Sequence, residues 1–165
     1  MRWSFGPSLD AVLTDGINHV AIVTSDAGRL HDFYREVFDA EVGDHAETGP
    51  GLELTFVHIG PHTELNVFQV PAAQTPDRAA AFNRGGIDHL GIQAASHDAF
   101  DEIRRRLMAR GATDGFVTDF GPVLSCFFRD PDGLECEVLV ANPDAEPGVF
   151  HPPGTPKAGY EVGVA

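Results

Sequence analysis

The sequence predicts an α+β chain built from two copies of one module: a strand, a helix, then about three strands. Three observations carry this expectation. The hexamer INHVAI at 17–22 returns as IDHLGI at 87–92, an offset of 70 residues. The same offset pairs Leu30 with Phe100, Phe33 with Ile103 and Val37 with Leu107, all apolar positions at helical spacing. Strand-like runs then follow each helix, LELTFVHI and TELNVFQV in the first copy, VLSCFF and LECEVLV in the second.

Taken in order, residues 1–16 are an N-terminal extension without a clear pattern. The first module covers 17–70. Ser25 or Asp26 can cap its helix, which runs to about Asp39, and a less regular strand is expected near Ala40–Val42. Residues 71–86, PAAQTPDRAAAFNRGG, form a linker in which Thr75 can cap a short helix with Pro76 at its first position. The second module covers 87–141. Ser96 caps its helix, Gly111 can end it in a left-handed conformation, and an irregular strand is expected at Thr113–Val117. Residues 142–165 are a Pro/Gly-rich tail, expected to lie extended on the surface or on a partner subunit.

Composition narrows the function. The chain has 165 residues and a formal net charge of −14, which argues against nucleic acid and anionic membrane surfaces as partners. Its two cysteines, Cys126 and Cys136, form neither a disulfide framework nor a zinc-ribbon spacing. If the hairpin turn is centred on Pro131, they sit opposite each other as reduced core thiols. The N-terminus lacks a signal pattern and no apolar run reaches the ~18 residues of a membrane span. A cytoplasmic protein acting on a small molecule is the expectation.

Strand alternation sorts the chemistry-bearing residues. Val20, Ile22, Leu90 and Ile92 suit the face covered by a helix, which turns His19 and His89 to the opposite face. In the last strand Glu135 and Glu137 share a face with Leu139, opposite Leu134, Cys136 and Val138. In the first copy Glu64 shares a face with Asn66 and Phe68. His19, Glu64, His89 and Glu137 are thus four candidate ligands that a pseudo-twofold axis would bring together. Two histidines and two carboxylates suit one divalent metal ion: Fe, Ni, Co, Zn or Mn. Without Glu64, the set has the two-histidine, one-carboxylate composition of non-haem Fe(II) oxygen chemistry. His58, Asn66, Ser125, Phe127 and Glu135 are expected to line or rim the pocket. If HIGPHTE closes as a short hairpin, His58 lies across from Glu64, where it can support that carboxylate or shuttle a proton.

These residues resemble a family. INHVAIVTSDAGRLHDFYREVF, with its Phe33-Tyr34 pair, and FFRDPDGLECEVL, with its Asp130-Pro131-Asp132-Gly133 turn, are similar to the opening strand–helix and closing hairpin of the vicinal oxygen chelate superfamily. That superfamily includes glyoxalase I, methylmalonyl-CoA epimerase, extradiol dioxygenases, and fosfomycin and bleomycin resistance proteins. The resemblance covers about residues 17–140. It implies two βαβββ modules forming an eight-stranded, cup-like mixed sheet around a metal, with helices on the outer face. His19, His89 and Glu137 match the family's ligand positions. Glu64 matches the first-module glutamate, which a two-residue slip in alignment would exchange for Asn66. The implied function is glyoxalase-like isomerase or lyase chemistry on vicinal oxygens of a small organic substrate, with Glu64 or Glu137 moving a proton. An Fe(II) extradiol-type dioxygenase and a non-catalytic, drug-sequestering binding protein are the alternatives. A homodimer is compatible with the pattern, since such modules pair within one chain or across two.

Overall fold

A computed structural model describes residues 17–49, 52–72, 87 and 89–149. The expected linker helix near Thr75, the N-terminal extension and the tail beyond 149 lie outside them. The described chain is α+β, in two βαβββ modules. The first holds β1 (His19–Thr24), α1 (Ala27–Phe38), β2 (Glu41–Gly49), β3 (Leu52–His58) and β4 (Glu64–Gln69). The second holds β5 (Leu90–Gln93), α2 (His97–Ala109), β6 (Thr118–Asp119), β7 (Val123–Arg129) and β8 (Glu135–Ala141).

The two sheets have the same topology. Their strand orders are β1-β4-β3-β2 and β5-β8-β7-β6. In each, the first strand runs parallel to the last, and the remaining neighbours are antiparallel. The parallel pairing needs a long crossover, and the helix of each module supplies it.

Local chemistry sets the helix boundaries. The Asp26 carboxylate accepts from Arg29 N at 3.0 Å and caps α1. Ser96 Oγ accepts from Ala99 N at 3.1 Å and caps α2. Asp39 closes α1 in the left-handed region at φ 52°, and Gly111 follows α2 at φ 67°.

The helix-facing sides of both sheets share one core. Leu30, Phe33, Tyr34 and Val37 of α1, Leu65 and Val67 of β4, Phe100 and Leu107 of α2, and Cys136 and Val138 of β8 belong to a single buried cluster. Phe33 and Phe38 set their rings 6.1 and 5.6 Å from Phe128 on β7. Arg106 on α2 donates to the Asp39 carboxylate at 2.7 Å and to the carbonyls of Glu36 and Val37 near the end of α1. Arg29 on α1 pairs with Asp132 in the β7–β8 turn. The modules are thus joined through their helices.

Two expectations need correcting. Residues 113–117 form no strand; β6 pairs only from Thr118, opposite Ser125. The Thr113 hydroxyl donates to Phe127 O at 2.6 Å and accepts from Gly115 N at 3.1 Å, and Gly115 sits at φ 80°. These contacts bend the chain away from the ladder. The cysteines are not opposite each other either: Cys126 faces Val138, and Cys136 faces Phe128. Asp130 Oδ1 accepts from both Asp132 N and Leu134 N, which centres the turn one residue later than Pro131. Neither cysteine is in a disulfide, and both are buried.

Candidate metal centre on the open sheet faces

The face of each sheet away from the helices carries the candidate residues. Along β1, Val20 and Ile22 are half-buried while His19, Ala21 and Val23 are exposed. Along β8, Cys136, Val138 and Val140 are buried while Glu135, Glu137 and Leu139 are half-buried. β4 alternates in the same way, with Glu64 and Asn66 on the open face.

The second module brings four of the predicted residues together. His89 Nε2 lies 3.3 Å from Glu137 Oε1, and Ser125 Oγ donates to Glu137 Oε2 at 2.6 Å. Phe127 stands directly across from Glu137, with its ring edge-on to His89 at 6.0 Å. The Glu137 side chain is only 12% exposed. Gly91 is its partner on β5, and a Cβ there would sit 3.5 Å from Oε1 and 3.1 Å from Leu139 Cδ1. The missing side chain keeps room beside that oxygen. Glu135 is one row away, 3.6 Å from Arg129.

In the first module His19, Glu64 and His58 lie side by side on three neighbouring strands, since Glu64 is the register partner of both histidines. His58 is directly across from Glu64, as the hairpin reading expects, with Nδ1 3.6 Å from Oε2. His19 Nδ1 lies 2.9 Å from Asn18 Oδ1. A proton on Nδ1 makes that bond and leaves the Nε2 lone pair available to an ion. An open cleft of about 230 Å³ adjoins the pair, walled by Asn18, His62 and Thr63.

Register shows which residues are equivalent between modules. Asn66 pairs with Ala21 and Phe56; Glu137 pairs with Gly91 and Phe127. Asn66 is therefore the counterpart of Glu137. Glu64 pairs with His58 as Glu135 pairs with Arg129, so these are the other matching row. Asn66 Oδ1 is buried and has no hydrogen-bond partner among the described residues.

The donor set fits a divalent ion. Two donors each about 2.1 Å from one ion at right angles lie about 3 Å apart, close to the His89–Glu137 separation of 3.3 Å. Ser125 fixes the second oxygen of that carboxylate, the kind of support that ligating carboxylates need. Among the described residues, no group of three or more His, Cys, Asp or Glu side chains is placed to hold an ion within one chain. Gly91 and Arg129 were not singled out from sequence. The repeat held the signal for Gly91, through its match with Ala21, and hairpin register held it for Arg129.

Residues 16–138 match the family model described as Glyoxalase/Bleomycin resistance protein/Dioxygenase superfamily. A glyoxalase family protein from Enterococcus faecalis is similar at 28% identity and TM-score 0.63, covering 78% of this chain and 99% of that one. Lactoylglutathione lyase from Agrobacterium tumefaciens is similar at 25% identity and TM-score 0.54, over 78% and 96%. A mutant of the genomically encoded fosfomycin resistance protein FosX from Listeria monocytogenes was solved with Mn(II) and 1S,2S-dihydroxypropylphosphonic acid. It shares the fold at 16% identity and TM-score 0.58, over 79% and 95%. No curated protein is a significant match.

Proposed function

From the premise that the chain belongs to the glyoxalase/bleomycin resistance protein/dioxygenase superfamily, we propose that it is a metal-dependent enzyme acting on a small organic substrate with two neighbouring oxygens, by isomerase or lyase chemistry. The observation that carries this reading is the Glu137 carboxylate, held by Ser125 on one oxygen and facing His89 Nε2 with the other. His19, His89 and Glu137 hold the divalent ion. When bound, the ion supplies a Lewis acid to the two substrate oxygens. Phe127 flanks the substrate. Glu64 Oε2, beside His58 Nδ1, accepts a proton from the substrate and returns it, and His58 steadies the carboxylate through that cycle. The similarity to lactoylglutathione lyase and to FosX with Mn(II) supports this class.

The ion's ligands come from two copies of the chain, His19 from one and His89 with Glu137 from the other. β1 and β5 are edge strands of their sheets, and exposed apolar residues lie on β1 (Val23 at 49%) and just before β1 and β5 (Ile17 at 83%, Ile87 at 64%). Among the described residues no strand pairs with the outer edge of β1 or β5, and such edges favour pairing with another chain.

A second reading has one observation in its favour. Asn66 stands where the second module has Glu137, which leaves two histidines and one carboxylate, the composition of Fe(II) oxygen chemistry. Metal analysis after anaerobic purification, with oxygen uptake measured on candidate substrates, separates the two. Stoichiometric Ni, Co, Zn or Mn without oxygen uptake supports the isomerase or lyase. Bound iron with substrate-dependent uptake supports the dioxygenase. A metal-free protein whose ligand binding survives His19→Ala is a sequestering protein, and both enzyme readings fall.

A further inference from the structure

We infer that Asn66, not Glu64, is the first-module residue that faces the bound divalent ion, through its side-chain carbonyl oxygen, and that Glu64 stands outside the ligand set. The inference rests on the metal-dependent reading above and adds Asn66 to its ligand list.

The argument starts from how a histidine meets a carboxylate in the second module. Continuing the β5–β8 register back by one residue sets His89 beside Glu135. Its ring nevertheless reaches Glu137, one row along the same face, at 3.3 Å. The contact is diagonal, and diagonal neighbours on a sheet face lie within reach of long side chains. His19 occupies the same place in the first module, with Glu64 directly beside it and Asn66 on the diagonal. Carried over by the repeat, the diagonal partner of His19 is Asn66.

Two further observations agree. Asn66 Oδ1 is a buried acceptor without a donor among the described residues, which is costly unless a ligand or cation meets it. Glu64 by contrast already has its counterpart's arrangement: His58 sits across from it as Arg129 sits across from Glu135. A neutral amide oxygen is a hard donor of the kind divalent cations accept. The first half-site thus offers an amide oxygen where the second offers a carboxylate, and Glu64 remains free to move protons.

Co²⁺ titration of the full-length protein, followed by visible absorbance and by competition with a chelating indicator, tests this. Far-UV circular dichroism checks that each variant is folded. Asn66→Ala should weaken Co²⁺ binding by about tenfold or more and change the spectrum, on the scale of a lost metal-site partner. Asn66→Asp, the same shape with a charge, should bind more tightly. Glu64→Gln should stay within about threefold of the wild type, with its spectrum unchanged, and Glu137→Gln should lose binding. If Glu64→Gln falls as far as Glu137→Gln, or Asn66→Ala binds like the wild type, the inference is wrong while the metal reading stands. If the wild type takes up no stoichiometric Co²⁺, or Glu137→Gln binds as tightly, both are wrong.

Discussion

Asp130 offers a quantitative check on the packing between α1 and the second module. The residue is 6% exposed, and burial pushes its pKa from 3.8 up to about 6, against the opposing pull of the Leu134 and Asp132 amides on Oδ1. The Tyr34 hydroxyl adds a long contact at 3.5 Å to Oδ2. An acid whose folded pKa is raised binds its proton more tightly in the native state than in the unfolded chain. Stability therefore falls as pH rises through the window from about 4 to about 6. A shift of about 2 units at 1.36 kcal/mol per unit makes the loss about 3 kcal/mol. Asp130→Asn keeps an oxygen for the two amides and removes the titration. The assay is urea unfolding of wild type and Asp130→Asn at intervals from pH 4 to 7.5. The variant's stability relative to the wild type should rise by about 3 kcal/mol across that range, with the steepest change below pH 6. A difference that stays flat with pH would refute the claim that this carboxylate is ionised against its surroundings.

Three other expectations follow from the site and core. Glu137→Gln should cut metal affinity about tenfold or more while Glu135→Gln changes it little, by isothermal titration; equal losses would overturn the assignment of Glu137 as the ligand. Ser125→Ala removes the 2.6 Å bond to Glu137 Oε2 and should weaken metal binding about tenfold with little change in melting temperature. Phe128→Ala empties the space between Phe33 and Phe38 and should cost about 3–5 kcal/mol in chemical denaturation, a cost below about 1 kcal/mol showing that α1 is not anchored there.

Helix chemistry was legible in the sequence because it is local. Asp26 and Ser96 cap the two helices as expected, since a side-chain oxygen need reach only three residues ahead. The phase of each strand was legible as well. A period-two pattern separates Val20 and Ile22 from His19, and Cys136 and Val138 from Glu137, without any knowledge of the neighbouring strand. Thr113–Val117 failed as a strand because its departure from the ladder depends on Thr113 reaching Phe127 O, a contact 14 residues away.

The sequence by itself determined the two-module repeat, the helix ends and the face on which His19, Glu64, His89 and Glu137 lie; it offered the opposition of His58 and Glu64 only on condition that a short hairpin closes there, which the register bears out. All of these follow from spacing along one stretch of chain. Only the tertiary structure decided that Asn66 is the counterpart of Glu137, that Glu64 matches Glu135, and that Cys126 and Cys136 miss each other by two residues. Glu64 and Asn66 share a face and differ by one strand period, so alternation treats them alike. What separates them is the hydrogen-bond register with β1 and β3, fixed by pairing between strands distant in sequence and by the residue at which each turn is centred.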